Sequence, residues 1–429
     1  MDIDKLHKAF SQSKGVCTDT RSLKEEQMFF ALKGNNFDGN KYVKKALEQG
    51  AMYAVSDDKS VASTEQNIFY VNSVLETLQE LANFHRNQLD SIIIAITGTN
   101  GKTTTKELLY ATLSQKYKVQ KTTGNLNNHI GVPLTLLSIK DDSEFAIVEM
   151  GANKRGDIKE LSDIAEPDFG IITNIGKAHL EGFGSVETIV KTKGELYDFL
   201  SKNGGLAFVN AKDSKLIKRL PVGLEVILYN KTNYSTAKSE AGLLKIEMGN
   251  SDKQEWITTQ LFGDFNLANV VVGLEVAEYF DVPLEKRKKA IEDYTPDLMR
   301  SQVSKVDDTV FYIDAYNANP SSMALGIANF MELEGNKTMI LGDMKELGDE
   351  ELSYHDAILA DVPNDYDGEL ILIGEIFNTT KGKTDAQKFK TTAEFIEAYD
   401  LSKLKNRLVF LKGSRSIGLE RIVSAFKEF

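Results

Sequence analysis

The sequence predicts an α/β protein built on doubly wound parallel sheets. Short β-branched apolar runs alternate with helical patterns from about residue 91 onward. Polar, glycine-bearing segments follow those runs, where the C-terminal ends of parallel strands open onto a crevice. The length, 429 residues, calls for two to four domains at roughly 150 residues each.

Composition narrows the class further. Hydrophobic residues at 41% and charged residues at 27% suit a packed chain and exclude disordered or collagen-like polymers. With 51 basic against 63 acidic residues the formal charge is -12, which predicts no nucleic-acid footprint. The single cysteine, Cys17, cannot form an internal disulfide and fits a reducing compartment. The N-terminus, MDIDKLHKAF, has neither the basic start nor the apolar run of a secretion signal. No stretch approaches the roughly 20 apolar residues of a membrane-spanning helix. A soluble, cytoplasmic protein is expected, with no membrane or nucleic-acid partner.

The first 85 residues mix short apolar runs with Gly and Asn punctuation, as in Phe29–Asn40. Asn72–Gln88 carries Val74, Leu75, Leu78, Leu81 and Phe84 at helical spacing and reads as a helix into the next unit. Ser91–Thr97 (SIIIAIT) suits a strand buried on both faces. A glycine turn and a helix over Thr103–Lys116 follow, then strands over Glu144–Met150 and Asp168–Thr173. A third unit starts near Pro296–Arg300, with strands over Thr309–Ala315, Lys337–Gly342, Glu369–Gly374 and Arg407–Leu411 and a closing helix over Ser416–Lys427. Leu220–Phe262 gives only a weak β-rich signal.

The strongest chemical signal is TGTNGKTT, Thr97–Thr104, between a strand and a helix. Small residues let backbone N–H groups close around phosphate oxygens at a positive helix end. Gly98, Thr99, Asn100, Gly101 and Thr104 would form that cradle, Lys102 would meet the β/γ-phosphates and the Thr103 hydroxyl would ligate Mg²⁺. The full expression G-x-x-x-x-G-K-[ST] is not met, because Ile96 stands at its first glycine. The bland rival is an ordinary turn with a surface lysine.

Other polar positions carry two readings each. Glu149 ends an apolar strand and either serves a hard cation or is a solvated strand end. His179, in NIGKAHLEGFG, is a ligand or a structural hydrogen-bonder. Lys193, in KTKGELYDFL, looks by periodicity like a solvated helix lysine. Asn125, Asn127 and Asn128 can contact sugar and phosphate, or form their turn for local reasons. Asp314–Ser322 (DAYNANPSS) and Leu341–Gly348 (LGDMKELG) face one crevice or are capped turns. Lys412–Arg415 is an anion site or a solvated basic loop.

Taken together, GTNGKTTTKE, TGNLNNHIGVPLTLL, VEMGANKRGDI, NIGKAHLEGFGS, KGELY, DAYNANPSSM, LGDMKELG and KGSRS resemble, in order and over nearly the whole chain, the Mur ligases, ATP-dependent amino-acid-adding enzymes of peptidoglycan synthesis. GTNGKT alone is shared across that family and with folylpolyglutamate synthetase. YNANPSSM with GDMKELG is similar to the branch that adds D-alanyl-D-alanine to a UDP-N-acetylmuramoyl-tripeptide, and argues against a branch adding a diamino acid or glutamate. The resemblance implies a smaller N-terminal α/β domain for the UDP-substrate (1–85), a central P-loop-type ATPase domain (86–297) and a C-terminal Rossmann-like ligase domain (298–429).

It also implies roles. Lys102, Glu149, His179 and Lys193 form the expected catalytic set. ATP would be held by 98–104, with Asn266 and Asn269 near the adenine, Arg300 reaching across the domain interface and Asp314 at the ribose. Thr103, Glu149, His179 and a carbamylated Lys193 would hold two Mg²⁺ ions. Thr20, Arg21, Asn36 and Asp38 would mark the uridine pocket, Asn127 and Asn128 the UDP-sugar side, and Asn317 and Asn319 the substrate in the third domain. The implied reaction passes through an acyl phosphate to an amide, ADP and phosphate, in a monomer. One departure stands out: Phe265 occupies the histidine of G-x-H-N-x-x-N.

Overall fold

The structure is a computed structural model that describes residues 1–429 except 63–66, 179, 232–233, 240, 249–254, 298 and 384. It is a three-domain α/β chain with parallel sheets. The N-terminal unit holds helix α1 (Ile3–Gln12) and a four-stranded parallel sheet, β1 (Val16–Cys17), β2 (Met28–Phe30), β3 (Tyr53–Ser56) and β4 (Ile68–Tyr70), in that order. Helix α2 (Val74–Arg86) leaves it, capped by Ser73, whose hydroxyl accepts from Glu76 N. Its buried face, Val74, Leu78, Leu81 and Ala82, follows helical periodicity.

The central sheet contains β5 (Ile92–Thr97), β6 (Val119–Lys121), β7 (Phe145–Glu149), β8 (Phe169–Ile172), β9 (Leu206–Asn210) and β10 (Glu225–Tyr229), in the order β10-β9-β8-β5-β7-β6. Chain order reverses around β5, the first strand in sequence, and opens a crevice at its C-terminal end. The helices on this sheet include α3 (Lys102–Leu113), α4 (Gly131–Leu136), α5 (Asp157–Ala165) and α6 (Val186–Asn203). The weakly β-rich stretch resolves into a strand of this sheet and a separate antiparallel sheet of β11 (Ser235–Lys238), β12 (Leu243–Met248) and β13 (Glu255–Phe262). Helices α7 (Leu267–Tyr279) and α8 (Leu284–Asp293) follow.

The third sheet adds β14 (Gln302–Val306), β15 (Thr309–Asp314), β16 (Lys337–Gly342), β17 (Glu369–Ile373), β18 (Gln387–Phe389) and β19 (Leu408–Lys412), ordered β14-β15-β19-β16-β17-β18. Only β14 is antiparallel to its neighbour. Helices α9 (Pro320–Met331), α10 (Glu351–Asp361) and α11 (Glu420–Glu428) cover it. The closing helix begins later than its sequence pattern suggests, because Arg415–Ile417 first makes a 3₁₀ turn that ends at left-handed Gly418.

Two joints connect the units, and they differ in kind. The N-terminal and central units share one apolar core, in which Leu78 and Leu81 of α2 pack with Val132, Leu136 and Leu161. Arg86 donates to Ala165 O, Glu166 O and Asp168 Oδ2, and Asn83 donates to Asp163 O, Ile164 O and Glu166 Oε1. The C-terminal unit has its own cores and receives from the central unit chiefly Phe262, packed on Tyr312 and Phe410. Around that pivot the contacts are polar: Asp264 N donates to Asn329 Oδ1, and Lys177 N to Ser321 Oγ. Among the described residues no helix is long and apolar enough to cross a membrane.

Candidate functional site

Strand β5 ends at Thr97, and residues 98–101 turn the chain into α3. Gly98 has φ +149° and a Cβ there would lie 1.8 Å from Thr173 Oγ1; Gly101 has φ +79° and its Cβ would meet Asn269 Oδ1 at 2.6 Å. Both positions therefore require glycine. The missing first glycine of the usual expression has a plain cause: Ile96 is still strand, buried and in register with Glu149 of β7. The loop is pinned from β8. Thr99 N donates to Asn174 O, Asn100 N to Asn174 Oδ1, and Thr173 Oγ1 to Asn100 O at 2.6 Å. No side chain caps α3, so its first N–H groups face the crevice as an anion site. Lys102 curls over the loop, donating to Gly98 O (2.8 Å) and Thr99 O (3.2 Å). Burial lowers its pKa, nearby Arg300 lowers it further, and Glu149 opposes the shift.

Glu149 is 2% exposed, so it is no solvated strand end. Its Oε2 accepts from Thr103 Oγ1 (3.0 Å) and its Oε1 from Asn127 Nδ2 (2.9 Å). Lys106, 1% exposed, stands 3.5 Å from Glu149 Oε2 and 3.4 Å from Glu107 Oε1, and Lys121 also pairs with Glu107. Burial would push the Glu149 carboxyl up, but Lys106 and then Lys102, Asn127 and Arg300 hold it below its usual range.

Lys193 is 3% exposed, which removes the reading of a solvated helix lysine. Burial first, and repulsion from Lys102 second, put its pKa well below that of an ordinary lysine. Its amine has no hydrogen-bond or salt-bridge partner among the described residues. His179 lies outside the described residues.

A cleft of about 760 Å³ runs from this loop to the third sheet. The phosphate-loop residues Thr99–Thr104, together with Asn127, Glu149, Phe265, Asn266, Asn269, Arg300, Asp314 and Asn317, all border it. Asp314 pairs with buried Lys412 and accepts from Ser301 N. Asn269 Nδ2 donates to Asn266 Oδ1, and Asn266 Nδ2 donates to Phe262 O and Ser301 Oγ, so both amides brace the wall at the joint. Asn319 caps α9 and donates 2.7 Å to Asn100 Oδ1, joining the third unit to the phosphate loop. Asn128 follows the local reading: its Oδ1 accepts from Ile130 N and Gly131 N at the start of α4. Thr20, Arg21, Asn36 and Asp38 are in the N-terminal unit and do not line this cleft. There Arg21 pairs with Asp19, and Asp38 accepts from Asn40.

Sequence reasoning passed over Lys106, Tyr316 and Asn174. The one signal for Lys106 was its spacing, one helical turn beyond Lys102 and so on the same face of α3.

Three family matches cover most of the chain: Mur ligase family, catalytic domain, over 12–86; Mur ligase middle domain over 96–277; and Mur ligase, glutamate ligase domain, over 299–415. A relative from Bacillus subtilis, UDP-N-acetylmuramoyl-tripeptide--D-alanyl-D-alanine ligase, is 34% identical, covering 95% of this chain and 92% of its own. A Haemophilus influenzae protein of the same name is 32% identical over 97% and 94%. Among solved structures, MurF from Acinetobacter baumannii superposes with a TM-score of 0.87 at 26% identity, covering 100% of this chain and 98% of its own. MurF ligase from Thermotoga maritima, in complex with ADP, gives 0.85 at 27% identity, covering 98% of each chain.

Proposed function

Since the chain belongs to the Mur ligase family, we propose that its cleft joins D-alanyl-D-alanine to UDP-N-acetylmuramoyl-tripeptide at the expense of ATP, in peptidoglycan synthesis. The observation that carries this reading is the pinned Gly98–Gly101 loop, with Lys102 and ionised Glu149 beside it, opening onto residues of the third sheet. Whole-length similarity to relatives bearing that enzyme's name supports the substrate assignment.

The terminal carboxylate of the tripeptide is a poor acyl donor. Transfer of the γ-phosphoryl group makes it an acyl phosphate and releases ADP. The free amine of the dipeptide then attacks the acyl carbon, an amide forms, phosphate leaves with its electron pair and the amine gives up a proton. Two anions must approach in the first step, and Lys102, Arg300 and the uncapped α3 N-terminus offset their repulsion. Closing the third unit over the loop keeps water from the acyl phosphate.

The donor set suits Mg²⁺: a buried carboxylate and a hydroxyl, Glu149 and Thr103, are hard oxygen ligands. Bound magnesium would draw charge from the phosphate oxygens. Lys193 suits carbamylation, because a buried amine of low pKa can be neutral and attack carbon dioxide, losing a proton to give a carbamate. That carbamate and His179 would serve a second ion. Asn266 and Asn269 would hold the adenine wall, with the Phe265 ring as its apolar part where relatives often carry histidine. Asp314 would face the ribose, Asn317 the acceptor side, and Thr20, Arg21, Asn36 and Asp38 the uridine end. The proposed enzyme works as a cytoplasmic monomer, a reading supported by the lone cysteine and by two units of one chain that together line the cleft.

A phosphate-release assay over a panel of UDP-linked peptides and dipeptides tests this. Release is expected only with ATP, a UDP-linked tripeptide and D-alanyl-D-alanine together, and is abolished by Lys102→Ala. No release with that set, or full release by the variant, overturns the proposal.

A further inference from the structure

Arg300 reaches the cleft from a linker under strain. Its neighbours Met299 (φ 58°) and Ser301 (φ 50°) are both left-handed without being glycine. Its guanidinium has no hydrogen bond or ion pair among the described residues, and its Nε is buried without a partner. Electrostatically it faces the phosphate loop, since it lowers the pKa of both Lys102 and Glu149. A guanidinium with five donors and no acceptor is a costly thing to leave in a cleft. Its one close neighbour of opposite character is an aromatic face: the Arg300 Cζ lies 3.8 Å from the ring centroid of Tyr316. The same ring lies 5.0 Å from the Cζ of Arg415, an exposed residue of the loop after β19 with no ion pair among the described residues.

Tyr316 follows β15 by two residues, and the backbone bond from Ala315 N to Met299 O (2.9 Å) clamps linker and strand end together. The ring is thus fixed where two like charges converge. Its negative face offsets their repulsion and holds the planar guanidinium in one orientation.

We propose that Tyr316 is the positioning residue that aims the Arg300 guanidinium at the phosphates of the nucleotide, through its ring and not through its hydroxyl. This rests on the reading of the cleft as an ATP site. The rival is that the left-handed linker alone sets Arg300.

Kinetics and equilibrium binding of Mg·ATP to the full chain separate the two. Tyr316→Leu is expected to raise the KM and Kd for ATP about tenfold, in the range of a desolvated cation–π contact, and to leave the KM for D-alanyl-D-alanine unchanged. Tyr316→Phe keeps the ring and is expected to match the unaltered chain. In an Arg300→Ala background, Tyr316→Leu should add nothing. An unaltered ATP constant in Tyr316→Leu, a Phe variant as poor as the Leu variant, or losses that multiply in the double variant would each overturn the proposal. Should the Leu variant fold poorly, the Phe variant and Tyr316→Trp, which restores a ring, carry the comparison. An unaltered chain that binds no ATP refutes the ATP site itself, a result distinct from normal binding with an indifferent Tyr316.

Discussion

Replacing Lys106 by methionine should show that the phosphate-loop helix rests on a buried ion network. The lysine is 1% exposed and stands between Glu149 at 3.5 Å and Glu107 at 3.4 Å. Glu107 keeps Lys121 in the variant, so the damage falls on Glu149, which retains Thr103 and Asn127 as donors. Removing one partner of a buried pair costs about 3–5 kcal/mol, and the remaining donors favour the lower end, about 3. For a unit of this size each kcal/mol is worth about 2–4 °C, so the melting of the central unit should fall by roughly 6–12 °C. The pH dependence carries the diagnosis. In the unaltered chain the Glu149 pKa is depressed, so its contribution is present above the ordinary carboxylate range and is lost as pH falls through the lowered value. Without Lys106 the carboxyl moves up from that lowered value, because burial is then opposed only by Lys102, Asn127 and Arg300. The higher its folded value, the less stability it holds above the ordinary carboxylate range. The gap between the two proteins should therefore be widest near neutrality and shrink toward pH ~5. Urea and thermal unfolding with EDTA at several pH values measure it. A gap below about 1 kcal/mol, the size for an exposed pair, or one that ignores pH, would refute the reasoning.

Three further outcomes are expected. Lys193→Ala should be nearly inactive and regain turnover with added formate or acetate in a phosphate-release assay; full activity without them would remove the carbamate. Asn319→Ser keeps a good cap for α9 but cannot donate to Asn100, so melting should hold while turnover drops about fivefold, the worth of one hydrogen bond near 1 kcal/mol. An equal loss of melting temperature would make the residue a cap alone. Gly98→Ala must move Thr173 or the loop, and strain of about 1–3 kcal/mol should weaken ATP binding at least about fivefold by equilibrium titration, with an unchanged affinity counting against a loop that fits only glycine.

The strand–turn–helix around Thr97–Thr104 was legible because a buried β-branched run and a glycine turn are local signals. So were four strands of the third sheet, short and largely buried apolar runs, whereas Gln302–Val306 and Gln387–Phe389, half-buried or exposed, left no such run. Ser235–Lys238 was not, since its side chains are half-buried or exposed and leave no alternation to read. Lys193 and Lys106 look alike in sequence to any solvated lysine, and only the packing of α6 and α3 against the sheet takes them out of water. Asn128 does local work that its sequence equally allowed, its Oδ1 accepting from Ile130 N and Gly131 N at the start of α4. Composition cannot tell such cases apart, because burial of a polar residue is decided by elements far away in the chain.

The unequal joints have a mechanical result. Swinging the N-terminal unit would pull Leu78 and Leu81 out of a shared core, whereas parting the C-terminal unit breaks hydrogen bonds that water can replace, about an aromatic bearing of Phe262 and Phe265. Relative movement of the units therefore costs least at that one seam. On the proposed reading, the uridine end and the triphosphate seat would keep a constant spacing, and the precursor's own peptide arm would flex to bring its end to the phosphate.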